Sequence, residues 1–189
     1  MIFFYIAAYV LLLGFFLIEG FLRRGSKDRG KTKFDKGSTS FISVIMGTSF
    51  VLLFAAPLLN GWHIAWIPWP AVGIAGVCLA VIGLVIRCVA FATLGRFFTR
   101  TLQKTEDHKL VTSGIYHDIR HPGYLSDILT FLGLGMAVCN WIPVAFVAVT
   151  FSAGYAYRIR TEERMLIEVF GEDYVNYKKH SKRLIPFIF

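Results

Sequence analysis

The 189 residues are 56% hydrophobic and 16% aromatic, with a formal net charge of +8 and a mean hydropathy of +0.59. That balance excludes an ordinary water-soluble domain and describes an integral membrane protein of single-domain size. The positive charge does not indicate nucleic acid, because the basic residues flank apolar runs and follow no nucleic-acid-binding pattern; anionic lipid headgroups are the expected partner.

Three apolar runs come first, over residues 2–22, 41–60 and 71–94. Each is close to the ~20 residues a helix needs to cross hydrocarbon. The first lacks a basic leader and a clear small-residue cleavage site, so it reads as a retained helix and not a signal peptide. Residues 125–139 and 141–157 are shorter, are interrupted by Gly133, Gly135 and Gly154, and join across Asn140 to Pro143. They read as a tight helical hairpin that crosses steeply or only in part. The expected fold class is therefore all-α: a polytopic integral membrane protein with about five transmembrane helices and a C-terminal helical hairpin.

Charge placement orients the bundle. Residues 23–36 hold seven Lys and Arg, residues 96–120 hold five, and the tail from Arg158 holds seven; Arg87 is the one left over, inside an apolar run. The turns around residues 60–70 and 140–143 hold none. The positive-inside rule then places the N-terminus outside and every basic loop in the cytoplasm, with Trp62, Trp66, Trp69 and Trp141 at the outer interface. Cys78, Cys88 and Cys139 all fall in apolar runs without paired spacing, which supports no disulfide framework, zinc site or redox pair. No internal repeat and no dinucleotide, P-loop or zinc-protease motif is present, and no metal is expected.

Two polar clusters interrupt this pattern. The first runs from His108, Lys109, Leu110 and Val111 through a turn at Ser113-Gly114 to Tyr116, and then to Arg120-His121-Pro122-Gly123-Tyr124. Pro122 suits the first turn of a helix, where its missing amide hydrogen costs nothing. The helix then begins near His121, with its positive dipole end toward whatever fills the adjacent cavity. Tyr116, His121 and Tyr124 are candidate walls of that cavity. The alternative is that Arg-His-Pro only anchors a helix at the headgroup layer. In the second cluster, Arg158 and Glu162 are four residues apart and share a helix face, where they pair with each other or point at one ligand; Arg160 and Glu163 are rotated away. Met165, Leu166, Val169 and Phe170, the terminator Gly171, and then Tyr174 and Tyr177 describe an amphipathic cytoplasmic helix folded back on the bundle. Core packing is the default role for those aromatics.

The string from His108 to Tyr124, the Arg158–Glu162 pair, and Phe170-Gly171-Glu172-Asp173-Tyr174 followed by Tyr177-Lys178-Lys179 resemble the signature of the isoprenylcysteine carboxyl methyltransferase family, whose relatives include phospholipid methyltransferases. The resemblance covers about the C-terminal half; the N-terminal spans match in hydropathy alone. It implies a single domain in which residues 1–94 supply three membrane helices and residues 95–189 the cofactor-binding and catalytic region, facing the cytoplasm at a plasma, inner or endoplasmic reticulum membrane. The cofactor implied is S-adenosylmethionine. Its implied contacts are His108, Lys109, Leu110, Val111, Tyr116, His121, Pro122, Gly123, Tyr124 and Glu162, with Gln103 standing near a glutamine of the family pattern at a shorter spacing. Arg158 is implied as the substrate contact and, with Glu162, as catalytic.

The implied acceptor is a lipophilic or lipidated molecule, such as an isoprenylcysteine carboxylate. The short loops resemble microbial members, in which prenylated proteins need not be the natural substrate, so a phospholipid amine or a thiol stays open. Two further classes also remain: a non-catalytic membrane scaffold whose charges only fix topology, and a sterol-reductase-like protein that binds a nicotinamide cofactor. Oligomeric state is not legible.

Overall fold

The computed structural model describes residues 1–23, 37–95 and 110–184. These form helices α1 (Ile2–Arg23), α2 (Ser38–Gly61), α3 (Pro70–Leu94), α4 (Pro122–Ala137), α5 (Trp141–Phe170) and α6 (Glu172–His180), with a 3-10 turn at Gly114–His117. No strand occurs among the described residues; two isolated bridges, Trp66 with Asn140 and Ile119 with Lys182, tie loops together.

Local chemistry sets the helix ends. Pro70 and Pro122 open α3 and α4 from the first turn, as a residue without an amide hydrogen does best. Asn140 caps α5, its side chain accepting from the Ile142 amide at 2.9 Å, which satisfies one of the free donors of the first turn. Gly171 ends α5 at φ +55, a left-handed conformation that a glycine adopts without strain. Helix α6 carries Glu172 and Asp173 in its first turn and Lys178, Lys179 and His180 in its last, matching its dipole at both ends.

Helices α1, α2, α3 and α5 are long and apolar enough to cross a membrane. The fifth expected crossing, α4, has 16 residues and rises about 24 Å, short of the ~30 Å hydrocarbon core. It is also the most enclosed helix: Ser126, Asp127, Thr130, Phe131 and Leu134 are all buried. Because neighbours surround it, its polar residues face protein and its length need not match the lipid. The closest pairing is α3 with α4, where small residues let the two backbones touch. A Cβ on Gly76 would stand 2.6 Å from the Gly133 carbonyl oxygen, and one on Gly83 would stand 2.6 Å from the Thr130 amide nitrogen. Glycine at such points gives membrane helices close packing that larger residues prevent.

The core centres on Phe131, whose ring meets Phe15 at 5.3 Å, Phe50 at 5.5 Å and Phe151 at 5.1 Å between centroids. At one end of the bundle Asn60 Nδ2 donates to the Val138 carbonyl at 2.8 Å and to Tyr5 Oη at 2.9 Å, while Asn140 Nδ2 donates to Asn60 Oδ1 at 2.8 Å. This network fastens the α4–α5 turn to α1 and α2, and Trp62, Trp69 and Trp141 stand exposed around it. At the other end, Glu19 of α1, Thr39 of α2, Phe91 of α3, Tyr124 of α4 and Glu162 of α5 line one cavity, so the five helices run alternately up and down.

One boundary differs from the sequence expectation. The second arm of the hairpin does not stop near residue 157 but continues through the charged cluster to Phe170, 30 residues in all. Nothing between Asn140 and Gly171 breaks a helix, since the one proline, Pro143, sits in the first turn. The fold-back is made by α6 alone.

Candidate functional site

The cavity at the charged end encloses about 1360 Å³, including space open to solvent. Its walls come from every helix, so no segment forms it alone. Ile42, Met46, Phe91 and Leu94 give it an apolar side, and Leu110, Val111, Tyr116 and α6 close another.

A continuous polar chain runs around the wall. Arg158 is 5% exposed; its Nη1 donates to Ser38 Oγ at 2.9 Å and Thr39 Oγ1 at 3.0 Å, and its Nε donates to Tyr124 Oη at 2.9 Å. Tyr124 Oη in turn donates to Glu162 Oε2 at 2.7 Å, and the same carboxylate oxygen lies 3.5 Å from His121 Nδ1. The rings of His121, Tyr124 and Tyr155 stack in series, at 5.5 and 4.8 Å. Tyr155 Oη donates to Asp127 Oδ2 at 2.6 Å. Asp127 is ion-paired with Arg87, whose Nε also donates to Glu19 Oε1 at 3.0 Å. Arg87 lies between the rings of Phe15 and Phe91, at 4.8 and 5.1 Å. A cation buried in an apolar helix is tolerable only with such compensation.

A second cluster braces the back of the site. Glu163, 3% exposed, receives Arg120 Nε at 3.0 Å and Arg183 Nη2 at 3.2 Å, with Lys178 Nζ at 3.5 Å. His121 Nε2 stands 3.6 Å from Glu163 Oε1, too long for a hydrogen bond. Arg120 also bonds the Ser181 carbonyl, Tyr177 Oη bonds the Tyr116 carbonyl, and the Arg120 and His121 amides donate to Lys182 and Arg183 carbonyls at 2.8 and 3.0 Å. These contacts hold α6 and the segment after it against the start of α4.

Electrostatics follow from this packing. Burial alone would lower the His121 pKa, but the adjacent Glu162 and Glu163 carboxylates outweigh it and raise it, favouring the imidazolium. Burial, with the Glu162 charge, pushes the Tyr116 phenol well above its ordinary value, and burial also raises Tyr177. Both stay neutral donors.

Of the residues singled out from sequence, Leu110, Val111, Tyr116, His121, Gly123, Tyr124, Arg158 and Glu162 all line this one cavity. Pro122 begins α4 behind it. Gln103, His108 and Lys109 lie outside the described residues. Glu163 corrects the expectation that it turns away: loop and α6 wrap the end of α5, so its second face is covered too. Sequence reasoning also passed over Glu19, Asp127 and Tyr155. Arg87 had been set apart as the lone basic residue of an apolar run, which is by itself a signal of function or pairing inside a membrane.

Residues 76–168 match the model of the isoprenylcysteine carboxyl methyltransferase family. The human protein-S-isoprenylcysteine O-methyltransferase is 36% identical over 166 residues, covering 80% of this chain and 56% of the human protein. The Arabidopsis thaliana protein-S-isoprenylcysteine O-methyltransferase B is 35% identical over 115 residues, 60% of this chain and 58% of that one. The solved eukaryotic intramembrane Ras methyltransferase, an isoprenylcysteine carboxyl methyltransferase, superposes with a TM-score of 0.66 at 28% identity, over 78% of this chain and 52% of the other. The chain thus spans about half the length of these relatives.

Proposed function

We propose that the chain, whose residues 76–168 match the isoprenylcysteine carboxyl methyltransferase family, is a membrane-embedded methyltransferase of that family that uses S-adenosylmethionine. The observation that carries the reading is the chain Arg158–Tyr124–Glu162 at 2.9 and 2.7 Å. It presents a cation and a carboxylate side by side to one cavity. Arg158 is the acceptor contact. Glu162, Leu110, Val111, Tyr116, His121, Gly123 and Tyr124 hold the cofactor, with Gln103, His108 and Lys109 completing that set and Pro122 fixing the helix start. The two halves act as one domain, residues 1–94 as scaffold and wall, residues 95–189 as the cofactor-binding part.

The residues fit such a cofactor. The Glu162 carboxylate suits a ligand with positive groups, and the buried His121 Nε2 has no hydrogen-bond partner among the described residues. S-adenosylmethionine, when bound, supplies an electrophilic methyl group on a sulfonium. The protein's own task is orientation. A carboxylate acceptor, with an ordinary pKa of about 4, is already ionised and needs no base. The planar guanidinium of Arg158 matches its shape, and holding it in line is the main contribution to rate. The apolar side of Ile42, Met46, Phe91 and Leu94 suits a lipophilic or lipidated acceptor, isoprenylcysteine-like in chemistry and drawn from the membrane. The positive-inside rule, applied to the basic flanks, supports a cytoplasmic position for this end of the bundle.

A lipid amine or thiol acceptor is the second reading; of the two, the Glu19 and Asp127 carboxylates on the same cavity wall, which share the Arg87 guanidinium, favour the amine, whose headgroup is cationic. Titration of detergent-purified protein tests the reading: one-to-one binding of S-adenosylmethionine and S-adenosylhomocysteine is expected, and none of NADPH. No response to either adenosyl compound overturns it. Radiolabelled methyl transfer to a prenylcysteine carboxylate, a phosphatidylethanolamine or an alkyl thiol then selects the acceptor.

A further inference from the structure

Tyr174, on α6, is 1% exposed and is among the residues lining the cavity. Its hydroxyl is buried and has no hydrogen-bond partner among the described residues. Phenylalanine would fill the same space without a polar atom to satisfy, so a phenol here is a cost with no return inside the protein. The ring is not free to swing out toward water. It meets Tyr177 edge-on at 5.9 Å, Tyr177 Oη is bonded to the Tyr116 carbonyl, and the chain just beyond α6 is fastened by the Lys182 amide to the Asp118 carbonyl at 2.8 Å.

We propose that the Tyr174 hydroxyl is a ligand-contacting group of the cofactor site, donating a hydrogen bond to an acceptor atom of the bound S-adenosyl compound. The assignment rests on the methyltransferase reading above. It names the cofactor and not the lipophilic acceptor because α6 is tied to Tyr116, on the cofactor side of the cavity. Burial and the charges of Glu163 and Glu162 push the Tyr174 phenol far above its ordinary pKa, so the group is an O–H donor at every working pH and not a base. The bond is completed only when the ligand enters, which makes α6 part of the binding site and more than packing over α5.

Calorimetric titration of wild type and Tyr174→Phe with S-adenosylhomocysteine, beside thermal unfolding of each without ligand, tests this. A lost neutral hydrogen bond predicts a Kd about three- to tenfold weaker in Tyr174→Phe. The ligand-free melting temperature should hold or rise, because the hydroxyl removed had no partner. Tyr177→Phe is the contrast: it deletes a paired hydroxyl and should melt lower without ligand. A wild-type Kd in Tyr174→Phe refutes the inference and leaves the methyltransferase reading standing. A lower ligand-free melting temperature with an unchanged ligand-induced shift refutes it too, by showing a structural hydroxyl. If wild type itself binds no S-adenosylhomocysteine, both readings fall together.

Discussion

Arg158 and Glu162, one helical turn apart on α5, are joined by the hydroxyl of Tyr124, which accepts from Arg158 Nε at 2.9 Å and donates to Glu162 Oε2 at 2.7 Å. The tyrosine therefore sets the separation between the acceptor-side cation and the cofactor-side carboxylate.

Deleting that hydroxyl should loosen both at once. Tyr124→Phe is expected to lower kcat/KM about 100-fold, the scale of two bonds to charged groups. Arg158→Ala should abolish methyl transfer while cofactor affinity stays within about twofold, since its loss touches the acceptor side. Glu162→Ala should weaken cofactor binding as well. Titrations on folded variants decide the matter; equal loss of cofactor affinity in Arg158→Ala and Glu162→Ala would refute the division of roles.

Arg87 serves three helices at once, bonding Glu19 of α1 and Ser126 and Asp127 of α4 from the middle of the bundle. Arg87→Met leaves the buried Asp127 and the half-buried Glu19 carboxylates without their guanidinium, and removing one partner from a buried pair costs ~3–5 kcal/mol. A large fall in thermal stability is expected, with partial recovery when Glu19→Gln and Asp127→Asn are added to the same protein. Wild-type stability in Arg87→Met alone would show that the cluster does not hold the helices together.

The His121 shift makes stability depend on pH in a definite direction. Its folded pKa lies above the unfolded value of about 6.5 because Glu162 and Glu163 favour the imidazolium over the opposing effect of burial. The stabilisation is fully present below the unfolded value and is lost as pH rises through the folded one. Melting temperature should therefore decline on the alkaline side of about pH 6.5, and His121→Gln should flatten that decline. An identical slope in the variant would place the dependence on other groups.

Much of this molecule is written locally. The three N-terminal helices begin and end within a few residues of the apolar runs, because hydrocarbon thickness and backbone hydrogen bonding leave a spanning segment one solution. Pro122 at the start of α4, the turn at Gly114 and the stop at Gly171 follow from single-residue backbone preferences. Tertiary structure alone decided which polar groups meet. Arg87 and Asp127 are 40 residues apart, and Arg158 and Ser38 are 120 apart; their pairing depends on the close α3–α4 approach at Gly76 and Gly133, and on α2 packing beside α5. Glu163 looks like an outward residue when α5 is read by itself. It becomes a buried hub only because α6 and the loop before α4 cover that face, and a helical period records faces but not what later folds onto them.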